Sequence, residues 1–358
     1  MLRSTFLAFG LCICAFQAAA QGIEITQRIS GLDTPWGLAV LPDDTVLVTE
    51  IDGRLLSFAN GTAQTVSGTP KVDQNGQGGF LDITPARDFA TSRTLFFTYA
   101  KAMRGGSGTA LAAAELSEDG KTLDNLRDLF VMSQGSRVGR HFGSRVVEGT
   151  DGTLFMTIGD RGVDMTAQNL GLHNGSVIRV NRDGSVPRDN PFVGQAGALP
   201  EIWSYGHRNP QGAGLDLQGN LWVSEHGARG GDEVNQIKKG ANFGWPVISY
   251  GRHYSGLKIG EGTSKPGMEQ PQAYWDPSIA PSGLLVYSGK MFPEWRGDIF
   301  VGALKFNYIS RLQGSPLREV AQIKTDQTAR VRDIIEAPDG AIWFISVGNG
   351  SIYTIAPK

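Results

Sequence analysis

Short apolar runs, each preceded by a polar turn, recur along the chain, and one such pattern repeats six times. Its copies begin at Asp44 (D-T-V-L-V-T-E), Arg93 (R-T-L-F-F-T-Y), Gly152 (G-T-L-F-M-T-I), Gly219 (G-N-L-W-V-S-E), Gly297 (G-D-I-F-V-G-A) and Gly340 (G-A-I-W-F-I-S). Continuous β-branched, Leu and aromatic runs bounded by Gly/Asp turns read as strands buried on both faces. Copies stand roughly 45 to 80 residues apart, the length of one four-stranded blade, so the pattern predicts an all-β, six-bladed β-propeller. A β-sandwich, or a seven-bladed ring with one decayed copy, would use the same kind of strand. No long stretch holds a 3.6-residue period, and helix is expected only as single turns in loops. The widest gap precedes Gly297; its polar, Gly-rich part, residues 250–272, is expected to make a long excursion over one face.

Composition agrees with one large domain. A chain of 358 residues that is 40% hydrophobic and 19% charged buries a full core, and no linker interrupts it. The 48 glycines are spread along the chain, which suits many tight turns. Net charge is −2 with no Lys/Arg block, so the footprint of a nucleic-acid binder is missing.

At the N-terminus Arg3 precedes an apolar run from Phe6 to Phe16, and Ala18-Ala19-Ala20 stands before Gln21. That order predicts a secretory signal over residues 1–20 and a mature propeller domain over 21–358. The run is shorter than the ~20 residues that span a bilayer, so no integral membrane segment is expected in an exported protein, periplasmic or secreted. Cys12 and Cys14 both fall inside the signal. The mature chain then has no thiol, which excludes disulfides, thiolate catalysis and Cys-ligated metals.

Loops at one end of a propeller converge on its channel, so polar clusters beside the repeats are the candidate chemistry. Residues 200–212 read P-E-I-W-S-Y-G-H-R-N-P-Q-G, residues 224–235 read S-E-H-G-A-R-G-G-D-E-V-N, and residues 240–246 read G-A-N-F-G-W-P. With G-Q-G-G-F-L-D from Gly76, H-F-G-S-R from His141, I-G-D-R-G from Ile158, S-I-A-P-S-G from Ser278 and R-V-R-D from Arg330, these blocks run in order over nearly the whole mature chain. In them the sequence resembles the quinoprotein aldose sugar dehydrogenases, relatives of soluble glucose dehydrogenase.

The resemblance implies oxidation of an aldose or related alcohol to a lactone, with pyrroloquinoline quinone (PQQ) and calcium as cofactors. It casts His141 as general base, a role that suits imidazole because its ordinary pKa lies near neutrality. Asp160 is then the carboxylate that orients His141. Lys305, Arg330 and Arg332, with Gln77, are implied to hold the three carboxylates of the quinone, since a multi-anionic ligand needs several fixed cations. On an alternating strand an R-x-R pair points both guanidinium groups to one face. Arg208 and Asn209 are expected beside the quinone carbonyls, where positive charge stabilises the reduced oxyanion.

Calcium takes carboxylate and carbonyl oxygens. By resemblance one ion uses the backbone oxygens of Gly227 and Ala228, and a second, structural ion uses Glu233 and the carbonyl of Phe243. Two departures stand out: Ala228 where the family commonly has Pro, and Ser144 where it frequently has Gly. His173 and His253 lie in polar loops without a ligand set and read as surface residues. His207 and His226 read as packing or hydrogen-bonding groups. No zinc motif or Gly-rich dinucleotide fingerprint occurs. Nor does C-x-x-C-H, so electrons would leave to a separate acceptor. Other propeller functions compete: a calcium-dependent lactonase, which needs several carboxylates or Asn around one channel ion, or a cofactor-free binding protein.

Overall fold

The computed structural model describes residues 22–59 and 61–358, and the expected signal segment lies outside them. Six four-stranded antiparallel sheets close into a ring, a six-bladed β-propeller with almost no helix. The first five blades are consecutive in sequence, starting with strands Pro35–Val40, Phe80–Pro85, Val146–Glu148, Pro210–Leu215 and Pro281–Val286. The sixth contains Val331–Glu336, Ile342–Ser346 and Ser351–Pro357, and takes its outer strand, Ile23–Ile29, from the other end of the chain. That strand pairs antiparallel with the last one, from Ile23 opposite Pro357 to Ile29 opposite Ile352. Closure in this way ties the first described strand to the last.

Each of the six repeats is the second strand of a blade: Val46–Glu50, Thr94–Met103, Leu154–Ile158, Leu221–Glu225, Ile299–Ala303 and Ile342–Ser346. The residue that opens every copy has positive φ, from 51° at Arg93 and 63° at Asp44 to 94° at Gly340. Glycine occupies four of these turns because it adopts this conformation without a Cβ clash. Arg93 is held there by its own guanidinium, which donates to the carbonyls of Leu116 and Ser117 at 2.6 Å each.

The sixth position of four copies is a buried hydroxyl, and it joins blade to blade. Thr49, Thr98, Thr157 and Ser224 donate to the carbonyls of Leu81, Ser144, Pro210 and Ser282, each near the first strand of the next blade. Where the fifth copy has Gly302, Ser282 supplies the missing bond to Val331 O at 2.6 Å. These bonds give buried carbonyls of the next blade a hydrogen-bond partner. Apolar side chains fill the rest of the space between blades. Leu47, Leu55, Leu95 and Phe97 are fully buried between the first and second, each contributing about 1.5–3 kcal/mol of burial.

Second strands end, and first strands begin, at one end of the ring. Six loops after second strands and the loops before first strands therefore meet around the channel mouth. The long connection from Asp232–Gln236 to Ala273–Trp275 climbs beside the third blade, with Asn242 bridged to Tyr205, and reaches the same end at Trp245. Of the expected excursion over residues 250–272, Arg252 bridges back to Arg229 in the loop after the fourth blade's second strand.

Candidate functional site

His141 sits in the loop before the third blade with φ 56°, a left-handed conformation that turns its ring inward. Its backbone N–H donates to Gln77 Oε1 at 2.8 Å, and its Nδ1 lies 2.6 Å from Asp160 Oδ1. An ionised carboxylate only accepts, so Nδ1 carries the hydrogen and Nε2 keeps a free lone pair. Asp160 is fully buried and also accepts from Gly162 N at 2.7 Å and from Trp245 Nε1 at 2.9 Å. Burial pushes the His141 ring below its ordinary pKa; Asp160 opposes the shift, and Arg208 and Arg140 add to it. Asp160 thus favours the charged ring as expected, but burial outweighs it. At neutral pH the ring is an uncharged acceptor.

A cavity of about 980 Å³ opens above the channel mouth and is lined by Gln77, Ala228, Lys305, Arg330 and Arg332 among the residues singled out by sequence. Arg332 is in the strand, whereas Arg330 precedes it with φ 53°, so backbone geometry at the loop, not strand alternation alone, brings both to one cavity. Burial and the neighbouring charges of Arg145 and Arg330 push the Arg332 guanidinium down to about 9. Its Nη1 donates to Gln211 Oε1 at 2.8 Å. Among the described residues, no carboxylate stands within 4 Å of Lys305, Arg330, Arg332 or Arg208.

Arg208 is buried beside this cavity. Its guanidinium contacts Gly227 O and stacks 5.2 Å from the centre of the Trp245 ring, while its Nε has no partner. Asn209 Oδ1 accepts from Gly143 N at 3.1 Å, which fixes the loop after His141. Beneath, Arg145 closes the channel: its Nη1 lies 2.6 Å from Asp82 Oδ1 and 2.8 Å from Asp333 Oδ1, and its guanidinium stacks 4.4 Å from the Trp36 ring centre.

Gly227, Glu233 and Phe243 line a second, small cavity together with Glu225, while Ala228 faces the large one. Burial and the nearby Glu225 charge push the Glu233 carboxyl well up. Asn235 Nδ2 spans the two, 2.9 Å from Glu225 Oε1 and 3.1 Å from Glu233 Oε2. Asp232 is spent differently. It accepts from Gly227 N, Ser278 Oγ, Ile279 N and Ala280 N, clamping two site loops together.

Several site residues escaped the sequence reading. Trp245 and Glu225 stood inside quoted blocks without a role, because an indole donor or a carboxylate means nothing until its neighbour is known. Arg161 is fully buried on the Phe142 ring, 3.4 Å from its centre, and forks to the carbonyls of Arg140, Val138 and Ser107. It thereby pins the loop that ends at His141. His173 corrects a reading: it is buried, accepts from Ser133 N at 3.0 Å, and packs edge-on against Phe130. His207 and His226 hydrogen-bond, to Glu225 at 2.9 Å and Gln211 at 3.2 Å.

Comparison with known proteins places this geometry. The family model described as Glucose / Sorbosone dehydrogenase matches residues 32–354. Aldose sugar dehydrogenase YliI of Escherichia coli (strain K12) is 38% identical over 367 residues, covering 99% of each chain. Quinoprotein glucose dehydrogenase B of Acinetobacter calcoaceticus is 26% identical, covering 92% of this chain and 86% of its own. The crystal structure of the soluble E. coli aldose sugar dehydrogenase, in its apo-form, superposes with a TM-score of 0.91 at 37% identity, covering 94% of this chain and all of the other. The chain belongs to the glucose/sorbosone dehydrogenase family of quinoprotein aldose sugar dehydrogenases and is a sugar dehydrogenase, an oxidoreductase.

Proposed function

We propose that this protein oxidises the anomeric hydroxyl of an aldose to a lactone, with PQQ in the 980 Å³ cavity and calcium beside it, and passes the electrons to a separate acceptor. The observation that carries the reading is the set of cations around that cavity, Lys305, Arg330 and Arg332 with Arg208 buried beside them, none paired with a carboxylate among the described residues. The Arg332 pKa is depressed first by burial and then by repulsion from the Arg145 and Arg330 charges. A ligand with three carboxylates relieves that repulsion, so the donor set fits the quinone. A neutral or cationic ligand would not.

The acidic side of the site fits calcium. Glu225 and Glu233 share one small cavity with Arg208, yet among the described residues neither carboxylate lies within 4 Å of a Lys or Arg side-chain nitrogen, and a divalent cation there converts repulsion into ligation. Gly227, Ala228 and Phe243 would add carbonyl oxygens. When bound, the quinone supplies a two-electron acceptor for the substrate hydride, and the metal polarises its carbonyl.

The chain's own residues do the rest. His141 takes the hydroxyl proton at Nε2 as the substrate C–H bond breaks. Asp160 holds the ring by Nδ1 and stabilises the imidazolium that forms. Gln77 and Arg161 fix the backbone of the His141 loop. Arg208 places positive charge where reduction leaves negative charge. Export, by way of the N-terminal signal, puts this chemistry outside the cytoplasm; no helix among the described residues is long and apolar enough to cross a membrane.

Reconstitution tests the whole reading. Purified protein given PQQ and calcium should oxidise aldoses with an artificial dye acceptor and do nothing without the quinone. Lactone hydrolysis with no dye reduction would replace it by the lactonase reading.

A further inference from the structure

Trp245 touches both halves of the site. Its indole Nε1 donates to Asp160 Oδ2 at 2.9 Å, and the centre of the same ring lies 5.2 Å from the guanidinium carbon of Arg208. An indole is electron-poor at its N–H edge and electron-rich on its face, so an anion at the edge and a cation over the face are both favourably placed. Asp160 and Arg208 are also joined through the backbone, with Asp160 N donating to Arg208 O at 2.8 Å. Their charges stay apart all the same. Among the described residues, His141 is the only basic side chain within 4 Å of the Asp160 carboxylate.

The ring is held rigidly. It is buried with Ala167, Ala228 and Ile259. Its backbone is clamped to two other loops: Trp245 N donates to Gly206 O at 2.8 Å, and Trp245 O accepts from Gln168 Nε2 at 2.7 Å. Gln168 lies in the loop that carries Asp160, and Gly206 in the one that carries Arg208, so the indole is located relative to both residues that it contacts. Gln168 in turn exchanges two hydrogen bonds with Asn242, at 3.0 and 2.8 Å. Packing in such a pocket asks only for an apolar ring. An N–H aimed at a buried carboxylate is more than packing needs.

Resting on the function proposed above, we propose that Trp245 is a positioning residue for the reaction, whose N–H edge fixes the carboxylate that orients His141 and whose ring face fixes the cation that stands beside the quinone. One side chain thereby sets base and cation in register. The edge also has an electrostatic consequence. A donor on Asp160 stabilises the bare carboxylate and weakens its pull on a proton at His141, so Trp245 tunes the dyad against the charged ring. The charged and titratable groups around that ring are Asp160, Arg208, Arg140 and the buried His226, with Arg161 close to Asp160. All of them remain when Trp245 is replaced, and the lost donor sets the sign.

Trp245→Phe keeps the ring face and the packing and removes the donor. In the cofactor-free protein, NMR titration of labelled histidines, with His141→Gln assigning the signal, should place the His141 midpoint about 0.5–1 pH unit above that of the parent, part of the worth of a hydrogen bond to a charged group. Asp160→Asn leaves no carboxylate for the indole to stabilise, so adding Trp245→Phe to it should not raise the midpoint further. Trp245→Leu loses the face as well, and should need about two- to fivefold more quinone for half-reconstitution than Trp245→Phe does. An unmoved or lowered midpoint in Trp245→Phe, or the same rise with and without the Asp160 carboxylate, would reduce Trp245 to packing and overturn the proposal. Equal quinone affinity of the Phe and Leu variants would overturn its ring-face half. Dye-linked kcat/KM on the reconstituted variants separates this inference from the function it rests on: an acid limb that ignores the shifted midpoint leaves Trp245, Asp160 and His141 coupled, and removes His141 as the base.

Discussion

Replacing Asp160 with Asn isolates what the carboxylate does for His141. The substitution keeps shape but removes a charge and turns one oxygen into a donor. Oδ1 serves two donors, His141 Nδ1 and Gly162 N, whereas Oδ2 serves only Trp245 Nε1. The amide therefore settles with its oxygen at the Oδ1 position and its NH₂ against the indole, losing one hydrogen bond rather than two. His141 keeps its tautomer, and Nε2 remains the acceptor. Lost instead is the stabilisation of the imidazolium, on the scale of a hydrogen bond to a charged group, about 1.5–3 kcal/mol or roughly 10- to 150-fold in rate. His141→Gln removes the proposed base and should cost turnover at least about 10²-fold, with quinone and calcium still bound.

The pH dependence follows with a definite sign. In the proposed mechanism neutral His141 is the active form, and burial already holds its pKa below 6.5, so kcat/KM should climb on the acid side of 6.5 and be flat at neutral pH. Asp160 is the group that raises that pKa, and Asp160→Asn should move the acid limb lower still. Dye-linked initial rates between pH 4.5 and 9, on proteins loaded to equal quinone content, measure it. An Asn variant whose limb stays in place, or moves up, would refute the assignment of the dyad.

Other outcomes test the rest of the site. Arg330→Ala and Arg332→Ala should each weaken quinone binding by about 1.5–3 kcal/mol, read as a shift in the reconstitution midpoint, with melting temperature little changed. Glu233→Gln should abolish the rise in melting temperature that calcium produces in the parent; an undiminished rise places the ion elsewhere. Thr157→Val should destabilise by about 1–3 kcal/mol in denaturant titration, since Thr157 Oγ1 donates to Pro210 O and accepts from Ser144 N and Arg145 N within a closed interior. Arg161→Met should lower turnover far more than it weakens quinone affinity, because it frees the His141 loop and leaves the cation set intact.

What was readable from residues alone was whatever repeats or recurs in strings. Six copies of one strand announced six blades because each blade needs the same buried second strand and the same left-handed turn before it. The closing strand Ile23–Ile29 had no such mark: its pattern of mixed exposure follows from lying at the rim, where one face is wet. Residues that act by position were equally silent. Trp245 sits 85 positions from Asp160 and Arg332 sits 121 from Gln211; only the ring brings them together.

His173 shows the limit from the other side. A histidine in a polar sequence reads as exposed, yet Ser133 N and Glu201 give both of its nitrogens partners, which removes most of the penalty for burial. The same reasoning, inverted, is what makes the cavity informative. Arg145 is also buried, but Asp82 and Asp333 clasp it, and burial is outweighed so that its charge is held more firmly than usual. Arg332, one residue from Asp333, is buried with Gln211 as its hydrogen-bond partner and with the charges of Arg145 and Arg330 nearby, and its pKa falls. Two arginines under one roof thus divide by what surrounds them: the satisfied one seals the channel, and the unsatisfied one points to a ligand that brings the missing negative charge.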